Sequence, residues 1–130
     1  MSAPGYFGTA SASADASGRF ANVDQRPAIE VSPGVVIRAV PGTALLLSHV
    51  TIEPDCVAAA HSHDEEQMGL VLEGRCRFGL GGEERELGPG DVYWAPPGVV
   101  HEAQAVGGRC VILDVFSPPR AALMELLAGR

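Results

Sequence analysis

The stretch His61-Ser62-His63-Asp64-Glu65-Glu66-Gln67-Met68-Gly69-Leu70-Val71-Leu72-Glu73-Gly74 decides the fold. It opens on a His-x-His. Side chains of an extended strand alternate faces, so the imidazoles of His61 and His63 are aimed at one point. Gln67 returns to that point after a short turn through Asp64 to Glu66; a turn one residue different would bring Glu65 or Glu66 there instead. Val71 and Leu72 continue an apolar run that Gly74 ends. The pattern predicts most of a metal site laid on a β-hairpin.

A candidate fourth ligand comes from a second stretch, Gly90-Asp91-Val92-Tyr93-Trp94-Ala95-Pro96-Pro97-Gly98-Val99-Val100-His101. It reads as a turn, a short strand (Val92 to Ala95), a rigid corner, then His101 opening another apolar segment. Proline fixes φ and glycine admits positive φ, so the corner is sharp and reproducible.

Around these stretches, 130 residues make one domain with room for a core. Apolar residues are 46% and charged residues 19%, a globular balance rather than a disordered one. The net charge of −7 argues against nucleic acid and anionic membranes as partners. All 9 basic residues are arginine, which excludes Schiff-base chemistry on a protein lysine. Cys56, Cys76 and Cys110 are odd in number and lack a Cys-x-x-Cys, so reduced core thiols are expected. No run approaches the ~18 apolar residues of a membrane span. The N-terminus lacks the basic flank and apolar block of a signal peptide, which points to the cytoplasm.

Residues 1–22, rich in Ala, Ser and Gly, read as a flexible N-terminal arm. Its Tyr6, Phe7 and Phe20 are candidates for docking on a partner subunit. Strands are expected over Val35–Val40, Ala44–Ile52, Val57–His63, and Gln67–Leu72 with Arg75–Leu80 as a hairpin about Glu73-Gly74. Gly81-Gly82 and Gly88-Pro89-Gly90 are turns bounding the charged strand Glu83–Leu87. Val92–Ala95, His101–Val106 and Arg109–Phe116 complete the set. Roughly eight to ten short strands indicate an all-β barrel or double-sheet jelly roll over 23–120. Leu123, Leu126 and Leu127 share one helical face, so 121–130 is expected to form a short C-terminal helix over a barrel edge.

With both stretches in place, the chain resembles the cupin superfamily over about residues 35 to 117. His61, His63 and Gly74 fit the first cupin motif, with Gln67 where a Glu is usual and Asp55 in place of the first Gly. Gly90, Pro96, Gly98 and His101 fit the second, with Ala105 in place of its Asn. His61-Ser62-His63 with Gln67, followed by Asp114-Val115-Phe116-Ser117-Pro118-Pro119-Arg120, is similar to small single-domain cupins of the pectin-degradation type, which linearise unsaturated uronates. Single-domain cupin cyclases and isomerases of polyketide pathways are similar too. The resemblance implies a single-domain cupin β-barrel and a metal held by His61, His63, Gln67 and His101. It implies Asp114 as acid/base group, Phe116 as pocket wall and Arg120 as partner of a substrate carboxylate. Ala121-Ala122-Leu123 depart from the acidic and aromatic residues usual in the uronate enzymes. A homodimer is a further expectation of the resemblance.

Three imidazoles and an amide are neutral donors, so a divalent ion keeps its full charge and is a stronger Lewis acid. The anionic ligand of the 2-His-1-carboxylate oxygenases is missing. Both points favour non-redox isomerisation or cyclisation of a small oxygenated substrate, by proton transfer beside a carbonyl or hydroxyl held at the metal. The alternatives are an iron-dependent dioxygenase and a non-enzymatic small-ligand-binding cupin. Zinc, nickel, iron and manganese all suit the ligand set. Strand alternation turns Asp114 to the same side as Ile112 and Phe116, as a base in the barrel mouth or as a surface carboxylate. His49, in an apolar strand, is a second acid/base candidate if it faces the cavity. Tyr93 and Trp94 read as core and rim aromatics, with Tyr93 also a candidate substrate contact. Arg75 and Arg77 form either a solvated face or a carboxylate-binding pair, and Asp64 to Glu66 a solvated turn.

Overall fold

Residues 3–8 and 17–129 are described in the computed structural model. Strand β3 (Leu46–Ile52) alternates buried and half-buried positions along its length, so one face turns to the core. The same alternation runs through β2 (Val35–Pro41) and most of β5 (Glu66–Glu73) and β10 (Cys110–Ser117). With β1 (Ile29–Ser32) and β8 (Val92–Ala95) they form a six-stranded antiparallel sheet in the order β1-β2-β3-β10-β5-β8. A second sheet has four strands in the order β4-β9-β6-β7, with β4 (Val57–His61), β6 (Cys76–Leu80), β7 (Glu83–Leu87) and β9 (His101–Ala105). Val35, Leu46, Ile52 and Val71 from one sheet and Phe78 and Ala103 from the other share one core. The result is an all-β jelly roll with a short C-terminal helix.

Two expectations change. Glu73-Gly74 does not close a hairpin, because β5 and β6 belong to different sheets. Gly74 has φ 75°, and a Cβ there would strike the Arg109 carbonyl, so this corner carries the chain between sheets against β10. Gly88-Pro89-Gly90 likewise leads from β7 in one sheet to β8 in the other. Of these three turns, Gly81-Gly82 alone makes a hairpin, with Leu80 opposite Glu83. The first metal stretch therefore crosses from β4 to β5 in the facing sheet. Strand β1 was not expected; it spans 4 residues, too short for a period to show. Asp55 takes φ 64° in the β3–β4 turn, a conformation that a short polar side chain tolerates.

Helix α1 (Ala121–Ala128) buries Leu123 and packs Met124 and Leu127 on the core, while Leu126 points outward. No helix among the described residues is long and apolar enough to cross a membrane. All three cysteines are free thiols, Cys76 and Cys110 fully buried. The outer faces differ. Arg75 pairs with Glu86 and Arg77 with Glu84 on the four-stranded sheet, a solvated charged face. The six-stranded sheet exposes Met68, Leu72, Val92 and Trp94, and Leu45 is exposed in the turn before β3. Of the N-terminal arm expected over residues 1–22, residues 1–2 and 9–16 lie outside the described residues. Tyr6, Phe7 and Phe20 are exposed.

Candidate functional site

Each histidine is fixed by the chain next to it. His61 ends β4 directly opposite His101 on β9, and their rings lie 4.2 Å apart. His63 stands beyond the end of β4, so a turn rather than strand alternation brings it in, 5.2 Å from His101 between ring centres. Each Nδ1 meets a backbone carbonyl two residues away: His61 with Ala59 at 2.6 Å, His63 with Glu65 at 2.9 Å and His101 with Val99 at 2.9 Å. An imidazole that donates its Nδ1–H keeps its Nε2 lone pair free, and all three free nitrogens belong to one cluster. One ligand atom from each lies within 4.8 Å of the others.

Gln67 enters from the facing sheet. Its Oε1 is 2.9 Å from His63 Nε2. Its amide donates to the Tyr93 hydroxyl at 2.5 Å, and that hydroxyl donates to Asp114 Oδ1. The amide orientation is thereby set, with oxygen toward the histidines. Two lone pairs, Gln67 Oε1 and His63 Nε2, then face each other with no proton between them. His101 Nε2 is buried without a partner. Converging neutral donors and an orphaned nitrogen fit a divalent cation. Burial pushes the His101 pKa down to about 4 and lowers that of His61, so both rings are neutral at pH 7, as ligands must be.

Asp114 is buried on β10 at the cavity wall, and burial raises its pKa to about 6 against the opposing Tyr93 hydrogen bond. It is no surface carboxylate. Tyr93 is only 5% exposed and burial raises its pKa well above the usual value, so it remains an O–H donor. Its hydroxyl is committed to Gln67 and Asp114, which corrects its reading as a substrate contact. Phe116 packs its ring 5.6 Å from that of His63. Arg120 lines the cavity near Phe116, and its Nε is buried without a partner. No ion pair among the described residues occupies it.

His49 is corrected as well. Strand β3 turns Ser48 and Val50 into the cavity, so His49 faces outward, in a groove with Arg38, Thr51 and Glu73. Three further residues shape the site. Gly69 sits between Asp114 and Tyr93 in the ladders, and a Cβ there would collide with both. Glycine inside a strand is the signal that could have found it. Glu65 lies in neither a solvated turn nor the ligand cluster: its carboxylate accepts the Ala121 N–H at 2.8 Å and stands 3.4 Å from His63 Nδ1. Ser48 is a buried hydroxyl facing the cavity, which measures about 90 Å³. Nothing in the local sequence marks Ser48, and the sequence offered Glu65 only as an alternative ligand, not as the acceptor for the helix.

Residues 48–116, more than half of the chain, match the family model for the Cupin domain. The chain is 28% identical over 100 residues to the pectin degradation protein KdgF of Dickeya dadantii (strain 3937), covering 75% of this chain and 91% of that one. It is similar to the structure of KdgF from Halomonas sp., with TM-score 0.77, 29% identity and coverage of 82% of this chain and 99% of that chain. Its fold also matches an RmlC-like cupin from Shewanella frigidimarina NCIMB 400, with TM-score 0.76, 23% identity and coverage of 82% and 96%. A two-sheet jelly roll with a three-histidine cluster able to hold a metal, together with the family match, establishes that the chain belongs to the cupin domain family.

Proposed function

We propose that the chain is a metal-dependent enzyme that opens the ring of an unsaturated uronate or a related small oxygenated acid by proton transfer, without oxidation. One observation carries the reading: Asp114 is buried at the cavity wall and tied through Tyr93 to Gln67, beside the histidine cluster. The likeness to two KdgF proteins supports the substrate class.

A divalent cation held by His61, His63, Gln67 and His101 would polarise a substrate oxygen, since four neutral donors leave its charge undiminished. Ring opening of an unsaturated uronate is a net proton shift. The anomeric O–H loses its proton as the ring C–O bond breaks and the ring oxygen leaves as an enolate, and the former alkene carbon of that enolate gains one proton to give the open-chain ketone. Asp114 is the group placed to take and return that proton, with a pKa of about 6 near neutral working pH. Arg120, without a carboxylate partner of its own, receives the substrate carboxylate, and Phe116 closes the wall beside it. The reading includes a homodimer, supported by the apolar outer face of the six-stranded sheet.

The test is Asp114→Asn on 4,5-unsaturated galacturonate. Turnover should fall by about 10²–10⁴-fold, while metal content by mass spectrometry stays equal to wild type. Unchanged turnover removes Asp114 from the mechanism, and activity that depends on oxygen uptake replaces the reaction by oxidation.

A further inference from the structure

The cavity wall holds a fully buried polar group that this reaction leaves idle. Ser48 is 0% exposed, turns inward from β3, and its Oγ has no hydrogen-bond partner. It stands directly opposite Asp114 in the β3–β10 ladder, and Gly69 and Tyr93 continue the same row across the sheet. On its other side the row meets Ala39, which offers nothing polar. The cavity walls around it, including Ile37, Val50 and Ile112, are apolar. A buried hydroxyl without a partner destabilises the fold, and alanine would fill the same wall without that penalty.

Depth in the barrel says which part of a bound molecule would lie beside it. Phe116 is level with Gln67, and Asp114 lies two residues further along β10. One such step is about 7 Å. Ser48 therefore meets the portion of a ligand that extends past the ligand cluster, alongside Asp114.

We infer that Ser48 is a specificity-determining residue, whose hydroxyl pairs with a hydroxyl or carbonyl oxygen borne further along the ligand than the group held at the histidines. The ligand class is a small hydroxy or oxo acid oxygenated along its chain, as opposed to one ending in plain alkyl. This deepens the proposed function and rests on its reading of a small oxygenated acid.

Two acids with one carbon skeleton test it by calorimetry on zinc-loaded protein: 2-hydroxybutanoate and 2,3,4-trihydroxybutanoate. Wild type should bind the trihydroxy acid about tenfold or more tightly. Ser48→Ala should bring that preference to within about twofold, leave 2-hydroxybutanoate binding unchanged, and melt at the same or a higher temperature without metal. A preference that survives Ser48→Ala overturns the assignment. So does a lower melting temperature, which would make the hydroxyl a structural bond, and so does failure of wild type to bind either acid. Turnover of the unsaturated uronate on the same preparations separates the two readings. A Ser48-dependent preference without turnover supports the assignment and sinks the reaction; turnover without a Ser48 effect sinks the assignment alone.

Discussion

The two sides of the cavity are built in opposite ways. On the four-stranded sheet and its following turn, each histidine is aimed by a carbonyl two residues from itself in sequence. On the six-stranded sheet, Gln67, Tyr93 and Asp114 come from β5, β8 and β10, and the chain of hydrogen bonds among them exists only once those strands are paired. One side is held by short-range backbone geometry, the other by tertiary register. The first should lose single ligands cleanly. The second should fail as a unit, because its members hold one another in place.

Four changes can break or sharpen that contrast. The largest effect is expected from His101→Ala, which removes a ligand from the locally built side: metal bound per chain should fall from about one to near zero, by mass spectrometry, with the fold intact by circular dichroism. Retained stoichiometric metal would show that the cluster is not the site. Next comes Gly69→Ala on the register-built side. Its Cβ has no room between Tyr93 and Asp114, so unfolding free energy should drop by about 3 kcal/mol in denaturant titration, the upper end for overpacking. Metal affinity should fall with it, which a purely local cluster would not show.

Tyr93→Phe should act more gently. Losing the hydroxyl frees the Gln67 amide to flip, and zinc affinity in a chelator competition should weaken by about 10-fold or somewhat more. An unchanged affinity would mean that Gln67 needs no such support. The last change concerns pH dependence. Asp114 has a folded pKa of about 6, raised from 3.8. A raised pKa means that its contribution is fully present below 3.8 and is lost as pH rises through about 6. Metal-free wild type should therefore lose stability relative to Asp114→Asn across that window, by roughly 1 kcal/mol per pH unit. Parallel pH profiles would contradict the burial of an ionisable group there.

The same contrast explains what was legible in the sequence. The histidine motif, the Pro-Pro-Gly corner and the turn glycines are local signals, so the jelly roll and the three-histidine cluster could be read from them. Alternation along β10 put Asp114 on the side of Ile112 and Phe116, and only the fold shows that this is the inner side. Alternation could not say which side of β3 faces the core, and His49 was misplaced as a result. Turn glycines mark a reversal without naming the sheet that receives the next strand, so Glu73-Gly74 passed for a hairpin. Ser48 and the committed hydroxyl of Tyr93 owe their importance to residues that lie one or two strands away in space and 21 or more positions away in the chain. No window along the chain contains that information.

The link from Glu65 to Ala121 has a practical consequence. It ties the first turn of α1 to the residue beside His63, so the seating of the C-terminal helix is wired to the metal cluster through two hydrogen-bonded contacts. The affinity of the histidine cluster for an added divalent metal such as zinc would then gauge how well the helix is docked. A peptide that pries α1 loose, or an affinity tag fused tightly behind it, should register as zinc released to a fluorescent chelator. The barrel could in this way be engineered as a reporter of events at its own tail.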